Sequence, residues 1–85
     1  MKKPETASET LETVRQIARR ELGSSGNLDR ETRLIEDLEL DSIRLMTLAM
    51  AVEDHYSVCL DEEDEQAILT LGDLVDTIER KRAGA

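Results

Sequence analysis

The stretch LELDSIRL, Leu38–Leu45, sets an acid and a hydroxyl side by side where an irregular loop gives way to a helix. Residues 42–56 contain neither glycine nor proline, so the spacing predicts a main helix from Ser42 to Tyr56. Asp41 and Ser42 can both accept hydrogen bonds from the free amides of a first helical turn, which makes the pair a sufficient cap. The same place gives Ser42 a second capacity. Unpaired N–H groups and partial positive charge at a helix N-terminus would stabilise a phosphodiester carried on its hydroxyl.

At 100° per residue from Ser42, the side chains of Leu45, Leu48, Ala49, Val52 and Tyr56 fall between roughly 240° and 340°, a core stripe. Ile43, Met46 and Met50 form a second stripe between roughly 40° and 100°, edged by Glu53 near 20° and Asp54 near 120°. Such a helix is either more fully buried than most or presents a surface to a partner; core packing is the commoner cause, while flexible thioethers suit surfaces that meet varied shapes.

Outward from this helix, Thr6-Ala7-Ser8-Glu9 matches a capping box, and Leu11, Val14, Ala18 and Leu22 recur at helical spacing until Gly23 offers a stop. The nearly twenty residues that follow are long for a loop in a small domain. Leu28, Leu34, Ile35, Leu38 and Leu40 are expected to pin it across the core, with a short helical turn around Thr32 to Asp37. Asp61 to Leu69 reads as a short helix, acidic at its front and apolar at its back. Thr70-Leu71-Gly72-Asp73 is a second capping box, opening a last main helix with Leu71, Leu74, Val75 and Ile78 on its apolar stripe and Arg80, Lys81 and Arg82 at its basic end. These elements predict an all-α fold: three main helices, one short helix and a long structured loop between the first and second.

With 85 residues, the chain holds one modest core and is too small for a conventional enzyme with its own deep cleft. Tyr56 is the only aromatic residue, so the core is aliphatic, which favours packed helices. The net charge of -9 is concentrated: residues 1–33 carry seven basic and six acidic groups, residues 34–79 one basic and fourteen acidic. That field repels nucleic-acid phosphates and anionic headgroups and steers a basic protein surface, although acids also serve solubility alone. No apolar run approaches a membrane span, and the basic start leads into a polar stretch unlike a signal peptide.

Chemistry performed by the chain itself is disfavoured. His55, the only histidine, lies thirteen residues from Ser42, roughly 20 Å along one helix, too far to serve as its base. The acids Asp61 to Glu65 invite a calcium reading but lack the central glycine of a calcium loop, and no dedicated metal site is expected. Cys59 is the sole cysteine, which excludes an internal disulfide and fits a reducing cytosol; between Val58 and Leu60 it reads as a small buried apolar residue.

Taken with LIEDLELDSI across the serine, AVEDHYSVCLDEED after the long helix and TLGDLVDTI near the end, the chain resembles the acyl carrier proteins. The family hallmark Asp-Ser-Leu is Asp41-Ser42-Ile43 here. The resemblance covers about residues 8–80, implying a carrier domain there, a flexible segment over 1–7 and a tail over 81–85. It implies a right-handed four-helix bundle, monomeric and cytoplasmic, that is a carrier and not an enzyme. Ser42 would be joined to 4'-phosphopantetheine by a transferase using coenzyme A, with Asp41 assisting through the transferase's magnesium ion. Ile43, Arg44, Met46, Thr47, Met50, Glu53 and Asp54 match the docking helix, which meets acyl-loading, elongating and acyl-transfer enzymes through their basic patches.

The chain also departs from the housekeeping pattern. Arg44 and Thr47 stand where acids are usual, Glu39 where glycine is common and Leu60 where proline is common, which points to a specialised lipid or polyketide-type pathway. An aminoacyl or peptidyl carrier, and an unmodified helical interaction module, are the alternatives; a calcium-responsive protein is a weaker third.

Overall fold

In a computed structural model, residues 7–23 and 28–83 are described, and they form α1 (Ala7–Leu22), α2 (Ser42–Tyr56), α3 (Glu62–Ala67) and α4 (Leu71–Ala83). The all-helical expectation holds. α1 packs on both α2 and α4. Val14, Ile17 and Ala18 of α1, Leu48 and Val52 of α2, and Leu71, Leu74, Val75 and Ile78 of α4 meet in one buried cluster. Ile17, which the sequence reading left out, belongs to the same face as Val14. Gly23 ends α1 in the left-handed region at φ 68°, and its N–H caps the Arg19 carbonyl at 3.0 Å. Thr6, which would open the first capping box, lies outside the described residues.

The long loop is fixed rather than slack. Leu28, Leu34 and Leu40 are buried and Leu38 packs against them. The Asp37 and Leu38 N–H groups both reach the Arg33 carbonyl, closing the short helical turn expected there. Ile35 is a correction: it is 62% exposed, because Leu34 takes the inward direction in this turn and its neighbour faces water.

The loop is also hydrogen-bonded to the start of α4. Leu34 N–H donates to Leu69 O at 3.0 Å, Leu71 N–H to Thr32 O at 3.0 Å and Gly72 N–H to Arg30 O at 2.9 Å. The last two use amides that the start of α4 leaves without partners inside the helix. A Cβ on residue 72 would lie 2.8 Å from the Arg30 carbonyl oxygen, so only glycine permits the approach. Across the same seam the Arg30 guanidinium grips both Asp76 carboxylate oxygens at 2.9 Å.

The second capping box is present: Asp73 N–H donates to Thr70 Oγ1, and the Asp73 carboxylate accepts from the Thr70 and Leu69 amides. The helix continues through Ala83, taking in residues 81–83, where Lys81 and Arg82 are half-buried. The Thr10 hydroxyl, buried on α1, donates to Glu79 of α4.

α3 is held differently. None of its residues is buried. Asp61 and Asp64 form a reciprocal capping box, and Lys81 Nζ lies 2.6 Å from Asp64 with Arg80 at 3.5 Å. The Lys81 ammonium is the first cause holding the Asp64 carboxyl below its ordinary value, and Asp64 in turn raises Lys81.

Candidate functional site

Asp41 has extended backbone, and its carboxylate accepts the Arg44 N–H at 2.8 Å, while its carbonyl accepts the Leu45 N–H at 2.9 Å. It is therefore the N-cap, and Ser42 is the first helical residue. The amides of Ser42 and Ile43 are left without partners among the described residues. Ser42 is exposed. Two residues before the cap, Glu39 holds φ 53°, the left-handed conformation that glycine adopts most cheaply. Glycine would hold this backbone position at less cost than glutamate does.

A cavity of about 260 Å³ opens beside Ser42. Leu45, Met46 and Ala49 of α2 form one wall. Leu74 of α4, together with Leu34 and Leu60, forms the floor, and Ile68 and Glu65 close the side of α3. The two methionines and Ile43 answer the question of the second stripe. Ile43 is 76% exposed, and Met46 and Met50 are each 60% exposed, so the stripe is a surface and not core. A contiguous apolar strip on an otherwise acidic chain is what an interaction face looks like.

The remaining residues of that face behave in different ways. Arg44 is exposed, with no side-chain partner among the described residues. The Thr47 hydroxyl turns back onto the Ile43 carbonyl at 2.9 Å. Glu53 is committed inward, its carboxylate accepting the Leu60 N–H at 2.8 Å, which ties the end of α2 to the segment that follows. Asp54 is exposed beside it. Between Ser42 and Val52 the helix surface carries one positive charge and no acid.

His55 stacks edge-on against Tyr56, at the far end of α2 from Ser42. Cys59 requires a correction: it is exposed, because Leu60 takes the inward position and turns its neighbour to solvent. Among the described residues no group of three His, Cys, Asp or Glu side chains could hold a metal ion, and no helix is long and apolar enough to cross a membrane. Glu65 and Ile68 were missed as cavity residues. Glu65 lies on α3 and Ile68 is its extended C-cap, so helical spacing alone could not have paired them.

Comparison with known proteins places these features in a family. The family model described as a phosphopantetheine attachment site matches residues 12–78. An acyl carrier protein of Thermotoga maritima is 36% identical over 74 residues, covering 86% of this chain and 91% of that protein. One from Helicobacter hepaticus is 33% identical over 75 residues, covering 87% of this chain and 99% of its own. The solved structure of a candidate acyl carrier protein from Mycobacterium tuberculosis superposes with a TM-score of 0.79 at 25% identity, over 84% of this chain and 96% of that one.

Proposed function

This chain belongs to the acyl carrier protein family, and we propose that Ser42 carries the family's covalent 4'-phosphopantetheine and presents acyl cargo to partner enzymes of a specialised lipid or polyketide-type pathway. One observation carries the reading: an exposed hydroxyl on the first residue of α2, at the mouth of an apolar cavity.

The residues present fit the group. The free Ser42 and Ile43 amides and the positive end of α2 suit the phosphodiester, and the exposed hydroxyl can be approached by a transferase. The Asp41 carboxylate is exposed, and one of its oxygens already holds the cap, which keeps the acid fixed beside the serine for the transferase's magnesium ion. When attached, the arm supplies a thiol that holds acyl groups as thioesters. The chain's own part is to hold and to present. The cavity shelters an apolar cargo from water, and tethering turns each meeting of cargo and docked enzyme into an intramolecular event.

The pathway reading rests on the docking face. Ile43, Met46 and Met50 offer the apolar contact, while Arg44 supplies a charge of the wrong sign for a basic patch and Glu53 is occupied by the Leu60 amide. Complementarity of charge governs on-rate and partner choice, so this face suits enzymes whose patch is less basic than that of a housekeeping synthase.

Incubation with coenzyme A and a broad-specificity phosphopantetheinyl transferase is expected to add the arm's mass to the protein but not to Ser42→Ala. No gain under conditions that modify a control carrier would remove the carrier reading. Loaded protein is expected to be a poor substrate for a housekeeping fatty-acid synthase, and Arg44→Asp to improve it; elongation by the native protein at the rate of the synthase's own carrier would contradict the pathway assignment.

A further inference from the structure

Resting on the carrier reading above, we propose that the long loop and the α3 segment form a second docking surface, on which Ile35 and Leu69 seat an enzyme that presents basic side chains around an apolar contact. Both side chains are large, apolar and exposed, Ile35 at 62% and Leu69 at 64%, and neither lies on α2. Their segments are joined: Leu34 N–H donates to Leu69 O at 3.0 Å, and Arg33 pairs with Thr70 in an antiparallel bridge. Each also follows directly on a buried residue that lines the cavity beside Ser42, Ile35 on Leu34 and Leu69 on Ile68. The patch therefore stands on the same backbone that walls the attachment site.

The charge around the patch says what covers it. Residues 35–41 contain four acids and residues 61–69 five, with no lysine or arginine in either segment. Five of these acids are engaged: Asp41 caps α2, Glu36 and Asp37 hold Arg33, and Asp61 and Asp64 cap α3 and hold Lys81. Glu39, Glu62, Glu63 and Glu65 are exposed, and their carboxylates have no hydrogen bond or ion pair among the described residues. A second copy of this chain would set those carboxylates against its own, and an anionic lipid or nucleic acid would meet the same repulsion. A basic protein surface gains from them in on-rate and in orientation. It finds no equivalent on the first turns of α2, where residues 42–52 carry Arg44 and no acid. An enzyme held by both faces thus has its cations over the loop and α3, and an apolar surface over α2.

The test follows transfer of phosphopantetheine from coenzyme A to the full chain by a transferase with a basic docking surface, at low and at high salt. Two double variants address the patch: Ile35→Ser with Leu69→Ser removes the apolar contact, and Glu62→Gln with Glu63→Gln removes two anions. Glu12→Gln with Glu21→Gln removes the same charge from α1, outside the patch. All three alter exposed side chains, and a thermal midpoint near that of the native chain reports that each has folded. Both patch variants are expected to raise KM about fivefold or more with kcat little changed. The loss in the Glu62 and Glu63 variant fades at high salt, whereas that in the Ile35 and Leu69 variant persists. The α1 control stays within about twofold of the native chain. A KM unchanged in either patch variant, or raised as much by the α1 control as by the Glu62 and Glu63 variant, overturns the proposal alone. A native chain left unmodified beside a modified control carrier removes the carrier reading, and this proposal with it.

Discussion

α2 and α4 are helices of similar length, 15 and 13 residues, yet they use their apolar side chains in opposite ways. α4 buries Leu71, Leu74, Val75 and Ile78, and its first turn is held by a capping box and by carbonyls from the long loop. α2 buries only Leu48 and Val52 and turns Ile43, Met46 and Met50 to solvent. Its approach is strained at Glu39, where that of α4 is capped. The difference teaches that the fold is anchored on α4 while α2 gives up burial to hold a face, a reactive hydroxyl and a cavity wall in place.

The sharpest way to break this contrast is to truncate one residue from each helix. Ile78→Ala is expected to cost about 2–5 kcal/mol, since Ile78 is fully buried, whereas Met50→Ala should stay within about 0.5 kcal/mol. Urea unfolding of the two variants decides it; similar losses would show that the α2 stripe is structural after all.

Next in size is the seam that feeds α4. Gly72→Ala pushes a methyl into the Arg30 carbonyl and should cost about 1–3 kcal/mol. A neutral result in the same unfolding experiment would mean that the loop yields, and that α4 is not anchored there. The approach to α2 should respond in the other direction. Glu39→Gly relieves a left-handed non-glycine residue and is expected to gain up to about 1 kcal/mol, reduced by glycine's greater freedom in the unfolded chain. A loss of stability would place the worth of Glu39 in contacts and not in backbone geometry.

The smallest effect concerns the strap from α4 to α3. Asp64 is held below its ordinary value of 3.8, so its contribution is complete above that pH and is lost as pH falls through the lowered value. Lys81 is raised above 10.5, so its contribution is complete below that pH and is lost as pH rises through the raised value. Lys81→Met, which removes the pair, should therefore show a shallower fall in thermal midpoint than the native protein at each extreme. Identical pH profiles would show that the pair contributes nothing to holding α3.

Much of this contrast is legible in the residues. The periodicity of Leu71, Leu74, Val75 and Ile78 and the Thr70–Asp73 box specify α4 locally, because each signal comes from neighbours within one or two turns. Asp41-Ser42 likewise announces the cap and the exposed hydroxyl. The two apolar stripes of α2 were readable, but which one faces water depended on what packs against the helix. Ile35 and Cys59 were misplaced because irregular segments have no period from which to infer a side. The approach of Arg30 to Gly72 joins residues far apart in sequence and leaves only a glycine as its trace. Glu65 was hidden in an acidic run that reads as a uniform solvated face, and the cavity that distinguishes it exists only after α2, α3 and α4 have met.

The functional half of the contrast comes down to one oxygen. α2 has an exposed serine at its first residue and another, Ser57, as its C-cap, so the helix contains its own control. Tandem mass spectrometry of the protein after reaction with coenzyme A and a broad-specificity transferase locates the added group directly. The expected result is phosphopantetheine on Ser42 and none on Ser57. A group on any other residue, or an unmodified Ser42 alongside a fully modified control carrier, would contradict the account.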